Sequence, residues 1–373
     1  MKRLGLIINP IAGMGGKVGL KGTDERKTLE RAIELGATPV APLRATQALH
    51  SIRKNHAAPL DILTCPGMMG EQSAKEMGFK PTLLAMRMRK STMADDTKRA
   101  ASLLQAQKAD LILFVGGDGT ARDIYESVGQ TSPCLGIPAG VKVYSAVFST
   151  NPVTGGQLTA RYLHGEVSLI DAEVFDADES ELKDDRISIR LHGYLKVPFH
   201  ASNLQSAKTT SPLDDDEAFA QDTVAKFVVE ELRDDWTYII GPGSTTAALG
   251  RRLGFEKTLL GVDAIRGRRL IGKDLSEKEI IKRIDPKRTA IIVTPIGGQG
   301  FVFGRGNPQI SSDVIKRVGK DNIRVIATRH KIRFLKSKRL LVDSGDPELD
   351  RAMGGYVKVS TGYREFSVLR IGP

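Results

Sequence analysis

Cysteine is nearly missing from this chain. Cys65 and Cys134 are the only two in 373 residues, so no disulfide framework holds the fold, and neither has the Cys and His neighbours that a zinc site needs. Lone thiols among apolar neighbours suit a reducing compartment. Aromatic residues make up 5%, with a single tryptophan. Zinc-finger spacing and an aromatic RNA-recognition signature are both absent, which argues against nucleic acid as a partner. No apolar run approaches the ~18 residues that call for a membrane span. The basic start Met1-Lys2-Arg3 leads into an apolar stretch that breaks at Asn9-Pro10, too short for the apolar region of a secretion signal. A cytoplasmic protein with no membrane partner is expected.

What is present is ordinary for a globular protein: 40% apolar and 27% charged residues, too mixed for a disordered or collagen-like chain. At ~150 residues per domain the length points to roughly two to three domains. Lys and Arg number 55 against 44 Asp and Glu, a formal net charge of +11, which favours an anionic partner such as a nucleotide or polyphosphate. Residues 1–150 alternate short apolar runs (4–8, 60–64, 82–86, 111–115, 134–137) with amphipathic stretches (24–35, 43–54, 70–77, 94–105). That rhythm predicts an α/β domain with a parallel sheet. Thr92 and Asp95 fit the pattern of a helix start. Residues 151–373 read as a second, β-rich domain with α/β elements, with strands near 186–190, 194–197, 238–240, 290–294, 324–327, 340–342 and 357–359 and a helix near 217–233. The last of these strands are candidates to return to the first domain. The acidic stretch 176–185 lacks EF-hand spacing and reads as a solvated turn.

The strongest chemical signal is Gly116-Gly117-Asp118-Gly119-Thr120, directly after an apolar strand and directly before a helical pattern. Strand, glycine turn and helix start in that order make a backbone cradle for phosphate. Thr120 and Asp123 are spaced to cap the helix. A carboxylate in a phosphate cradle repels the ligand unless it takes a proton, holds a metal or bonds a hydroxyl, so Asp118 calls for a chemical role. A tight turn serving the backbone alone is the alternative. A second cradle, Gly241-Pro242-Gly243-Ser244-Thr245-Thr246, also lies between a strand and a helix, and its three consecutive hydroxyls exceed what one cap requires. Residues 267–274 have P-loop spacing, but Asp274 stands where Ser or Thr would hold magnesium, and a hairpin is expected instead. Asn9 opens a glycine-rich loop that either binds phosphate through free amides and Lys17 or forms a flexible lid or turn. Lys142 is placed to neutralise a donor phosphate. Asp263 either orients an acceptor or ends a strand. The basic run from Arg324 to Arg339 reads as a solvated face, with a polyanion surface as the alternative.

Gly116-Gly117-Asp118-Gly119-Thr120 resembles the signature shared by NAD kinases, diacylglycerol and sphingoid lipid kinases and, in variant form, phosphofructokinases. Pro138-Ala139-Gly140-Val141-Lys142 sits where the lipid kinases carry a Pro-x-Gly-Thr-Gly turn, and Gly243-Ser244-Thr245-Thr246-Ala247 is similar to the Gly-Ser-Thr-Ala run of NAD kinases. Asn9-Pro10, Thr120-Ala121-Arg122-Asp123, and Thr294-Pro295-Ile296-Gly297-Gly298-Gln299-Gly300 leading to Gly304-Arg305-Gly306-Asn307 resemble the ATP- or polyphosphate-dependent NAD kinase-like proteins related to the acetoin-catabolism protein X. The resemblance covers most of the chain. It implies a Rossmann-like N-terminal parallel-sheet domain plus a β-rich C-terminal domain; ligand is expected between the two, since concave sites commonly form at domain junctions. The implied reaction is phosphoryl transfer from ATP or polyphosphate to the ribose 2′-hydroxyl of NAD(H), with magnesium on the donor. Asp118 would be the general base or hydroxyl orienter, with Gly117, Gly119 and Thr120 around phosphates and Ser244, Thr245 and Thr246 on ribose or phosphate. Such kinases are often homo-oligomers.

The Asn-Glu motif of NAD kinases has no close counterpart here; Ser202-Asn203-Leu204-Gln205 is a distant stand-in. Two alternatives therefore stay open. A lipid or sphingoid kinase would need an apolar groove, and a non-catalytic NAD(P)- or nucleotide-binding regulator would bind without turnover.

Overall fold

Five apolar runs separated by amphipathic stretches become five parallel strands. The computed structural model describes residues 1–20, 26–87, 92–139, 143–177, 189–200, 215–296, 300–335 and 338–373. Strands β1 (Lys2–Ile8), β2 (Leu60–Thr64), β3 (Thr82–Leu83), β4 (Leu111–Gly116) and β5 (Cys134–Pro138) form one sheet in the order β3-β2-β1-β4-β5, with every adjacent pair parallel. All six residues of β4 are buried, as expected of a central parallel strand covered on both faces. Four expected helices appear with shifted ends, at Arg26–Glu34, Ala41–Asn55, Glu71–Glu76 and Ala94–Ala106. The last starts one residue later than the Thr92/Asp95 pairing predicts: Met93 occupies the N-cap, and its N–H donates to the Asp96 carboxylate at 2.9 Å.

The first unit comprises residues 1–14 and 22–207, so it runs past the boundary expected near 150. The reason is packing. Helix Pro152–Leu163 lies against Ala41–Asn55, and the antiparallel hairpin of β6 (Leu169–Ala177) and β7 (Ile189–Pro198) lies against β5 and helix Asp118–Val128. A side chain at Gly193 of β7 would strike the Tyr125 ring, 2.2 Å from its Cζ. The acidic turn expected at 176–185 falls mostly outside the described residues.

The second unit comprises residues 15–21 and 208–373. Its strands β8 (Thr237–Ile240), β9 (Asp263–Arg266), β10 (Arg269–Gly272), β11 (Thr289–Val293), β12 (Phe301–Phe303), β13 (Ile323–Ile326), β14 (Leu340–Val342), β15 (Gly355–Gly362) and β16 (Glu365–Gly372) form one mixed sheet in the order β10-β9-β8-β11-β13-β15-β16-β14-β12. The last strands stay in this sheet instead of returning to the first domain, because β15 pairs with β13 and β16 with β14. The strands β8, β11, β13 and β15 run parallel to their neighbours in that series. Separate apolar clusters, one around Ile239, Val293 and Val325 and one around Tyr238, Ile240 and Ile292, show alternate residues of β8 and β11 buried in different clusters. The expected hairpin at 267–274 is present as β9–β10, turning on Gly267 and Arg268 at φ 56° and 61°, the left-handed pair that a tight two-residue turn requires.

Candidate functional site

In the first unit β1 and β4 are neighbours whose chains continue in opposite directions across the sheet, β1 to β2 and β4 to β5. Loops leaving the carboxyl ends at such a reversal open a crevice, the usual ligand position in open α/β sheets. Asn9 follows β1 and Gly117-Asp118 follows β4, so both lie at that point. The Asn9 amide donates to the Thr120 hydroxyl at 3.0 Å. Thr120 is 3% exposed and packs beneath Gly116, where any Cβ would lie 2.3 Å from its hydroxyl oxygen. Gly116 is thus demanded by close approach, and Thr120 braces the turn. Gly13, at φ 78°, presses equally hard on the end of β5, with 2.0 Å between an added Cβ and the Ala139 carbonyl oxygen.

Asp118 is the first residue of helix Asp118–Val128, with Gly117 at the N-cap. Thr120 and Asp123 are therefore inside the helix and do not cap it. Buried Asp123 lies 4.0 Å from the Lys98 ammonium and 3.8 Å from the Arg122 guanidinium. Both oxygens of the Asp118 carboxylate accept hydrogen bonds. Oδ2 takes the Tyr144 N–H at 2.7 Å, and Oδ1 takes the Ser145 N–H at 2.9 Å and the Ser145 hydroxyl at 2.5 Å. Burial pushes the Tyr144 phenol well above its ordinary value, and the Asp118 charge adds to the shift, so the phenol beside the carboxylate is neutral at physiological pH. First-turn amides with no partner inside the helix and a half-exposed, rigidly oriented carboxylate sit together here. This turn can hold an anion and direct a hydroxyl. Lys142 and Gly140 lie outside the described residues.

The second cradle follows β8 in the second unit. Gly243, at φ 122°, is the N-cap of helix Ser244–Leu253, and a Cβ there would lie 2.6 Å from the Thr294 methyl at the end of β11. Thr245 and Thr246 are fully buried, and the Thr246 hydroxyl donates back to the Gly243 carbonyl at 2.9 Å, as a cap-region hydroxyl does. Gln221, on helix Asp215–Glu230, donates to the Ser244 hydroxyl at 3.1 Å and to Glu217 Oε1 at 3.2 Å. Thr328, after β13, donates to the same Glu217 oxygen at 2.9 Å and receives the Lys331 N–H at 3.1 Å. The Lys331 ammonium in turn donates to the hydroxyls of Thr245 at 3.1 Å and Thr294 at 3.3 Å. A continuous polar network thus joins the carboxyl ends of β8, β11 and β13. Composition and spacing singled out neither Glu217 nor Gln221; Lys331 stood unremarked inside the basic run, and Thr294 only inside a resemblance motif.

Asp263 has a different setting. It begins β9 instead of ending a strand and is fully buried. Its oxygens accept from the Thr258 N–H, the Thr258 hydroxyl and the Asp274 N–H, each at 2.8 Å. It staples loop to hairpin.

Among the described residues no helix is long and apolar enough to cross a membrane. The family model for the ATP-NAD kinase N-terminal domain matches residues 4–167, and that for the ATP-NAD kinase C-terminal domain matches residues 233–371. No curated protein and no solved structure matches the chain. With each half matched to its own domain of one kind of kinase, and a parallel-sheet half preceding a sheet-rich half, the chain belongs to the NAD kinase-like family.

Proposed function

We propose that the protein transfers a phosphoryl group from ATP or polyphosphate to the ribose 2′-hydroxyl of NAD(H), giving NADP(H). The observation that carries this reading is the Asp118 carboxylate, fixed by three donors at the reversal point of the first sheet. The acceptor oxygen forms the new bond to phosphorus. The bridging P–O bond of the donor breaks, its electron pair leaving on ADP or the shortened polyphosphate, and the hydroxyl proton passes toward Asp118. Phosphoryl transfer proceeds through a loose transition state that asks for orientation more than for early deprotonation. A carboxylate clamped in one direction suits that demand.

Gly117, Gly119 and Thr120 supply the turn around phosphate, with Asn9 beside it and Lys142 as a point charge. Gly241, Gly243, Ser244, Thr245 and Thr246 form the second contact, to ribose or phosphate. Among the described residues no three His, Cys, Asp or Glu side chains converge as a metal cage. Magnesium, carried on the donor phosphates, would neutralise their charge there. The deciding experiment incubates the protein with NAD or NADH, ATP or polyphosphate, and magnesium, and reads NADP(H) with a specific dehydrogenase. NADP(H) formation is expected. Thermal stabilisation by NAD without product would replace this reading with that of a nucleotide-binding regulator.

A further inference from the structure

The basic run after β13 does not behave as one solvated face. Arg324 pairs with Glu231 at 3.5 Å and Arg329 with Glu365 at 2.9 Å, and all four side chains are well exposed. Half-exposed His330 lies 3.8 Å from Glu217. Lys331 instead turns inward, is half-buried, and brings its ammonium to the hydroxyls of Thr245 and Thr294. Holding a long, flexible, strongly hydrated cation in such a place is costly, and the Thr245 and Thr294 hydroxyls beside it can rotate to donate or accept.

We propose that Lys331 is a phosphate-binding residue of the second unit, taking a phosphate oxygen of a bound nucleotide with help from the Thr245 and Thr294 hydroxyls. That the ligand is a phosphate ester or anhydride rests on the phosphotransfer reading above. Three features place the group there. Lys331 lies at the carboxyl end of parallel strands, where such sheets bind ligands. The helix Ser244–Leu253 directs its first amides to the same turn. The network through Thr328, Glu217, Gln221 and Ser244 ties the Lys331 backbone to the adjoining hydroxyl and so fixes the direction from which the ammonium reaches in. Glu217 and Gln221 act as positioning residues. Glu217 Oε2, which has no hydrogen-bond partner among the described residues, lies 3.8 Å from His330 Nδ1.

The test uses the full-length protein with inorganic pyrophosphate, NAD and ATP as probes and adenosine as the uncharged control, by titration calorimetry. Lys331→Met is expected to weaken pyrophosphate binding roughly tenfold or more, the size of one charge-assisted contact. Lys331→Arg should retain most of it, and adenosine binding should not change. Whichever of NAD or ATP loses affinity in Lys331→Met identifies the nucleotide served. A second measurement needs no variant. Site-resolved acetylation of the wild-type lysines should show Lys331 protected by pyrophosphate. Wild-type affinity for pyrophosphate in folded Lys331→Met, or unchanged Lys331 acetylation when pyrophosphate is present, overturns the assignment. Absence of NADP(H) formation would remove the proposed reaction and leave these binding results standing.

Discussion

Asp118 and Asp263 are chemically identical and both stand beside glycine-bearing turns, yet their surroundings separate them. Asp118 is partly exposed at the mouth of the first sheet. Asp263 has no exposed surface. Asp118→Asn is expected to lower turnover about a hundredfold or more, the contribution of a positioned acid or base. It should also cost about 1–3 kcal/mol of stability, because the new amide nitrogen must face one of the three donors around it. Circular dichroism and a thermal melt beside the NADP(H) assay check both parts; wild-type turnover would remove Asp118 from the chemistry. Asp263→Ala leaves the three donors around it without their acceptor. A loss of about 2–4 kcal/mol in urea unfolding is expected, with pyrophosphate affinity of the folded protein unchanged. Both aspartates could be picked out from the sequence as candidates, but burial divided them. No local pattern marks Ser145 as the clamp on Asp118, since the two are 27 positions apart.

Single elements were legible where one face or both faces of a segment are apolar. Strands β1, β2, β4 and β5 fall where continuous apolar runs stand, whereas 82–86 shortens to Thr82–Leu83 at a sheet edge. Strand β12, three residues long, and β16, with charged and apolar residues mixed, offered no clear period. The second-unit edge depends on a pair invisible to periodicity. Arg305, after β12, meets Asp343, after β14, at 3.4 Å with both side chains almost fully buried, and its guanidinium lies over the Phe301 ring at 4.6 Å. Gly304, at φ 91°, lets that chain pass so close that an added Cβ would lie 1.8 Å from the Asp343 carbonyl oxygen. Asp343→Ala removes the buried carboxylate that faces the guanidinium and is expected to cost about 3–5 kcal/mol. A lower urea midpoint at unchanged slope would show it; a midpoint equal to wild type would mean that the pair holds nothing together.

At the scale of the whole molecule, one acid-sensitive contact of the first unit is a histidine pair at the C-terminal ends of helices Ala41–Asn55 and Pro152–Leu163. His56 Nδ1 lies 2.9 Å from His164 Nε2, with the rings stacked at 4.7 Å. Burial, and secondarily His164, hold the His56 imidazole below its ordinary value. A base whose folded value is lowered binds protons more readily when unfolded. Its contribution is therefore complete above the unfolded value of about 6.5 and is lost as pH falls from there through the lower folded value. Urea stability should decline between about pH 7 and 5, and His56→Gln should flatten that decline; equal slopes in both proteins would exclude the pair as its source. Segmentation was less legible than chemistry. The boundary near 150 fell inside the first unit because the amphipathic helix Pro152–Leu163 and the hairpin after it bury their faces against elements that precede them. By itself the sequence determined the strand–turn–helix units, the two glycine-and-hydroxyl cradles and the family signature, since each depends on neighbours a few residues apart. Only the tertiary structure decided that Ser145 clamps Asp118, that Asp263 is a staple and that Lys331 leaves its basic run for the second cradle, because those contacts join residues 11 to 86 positions apart.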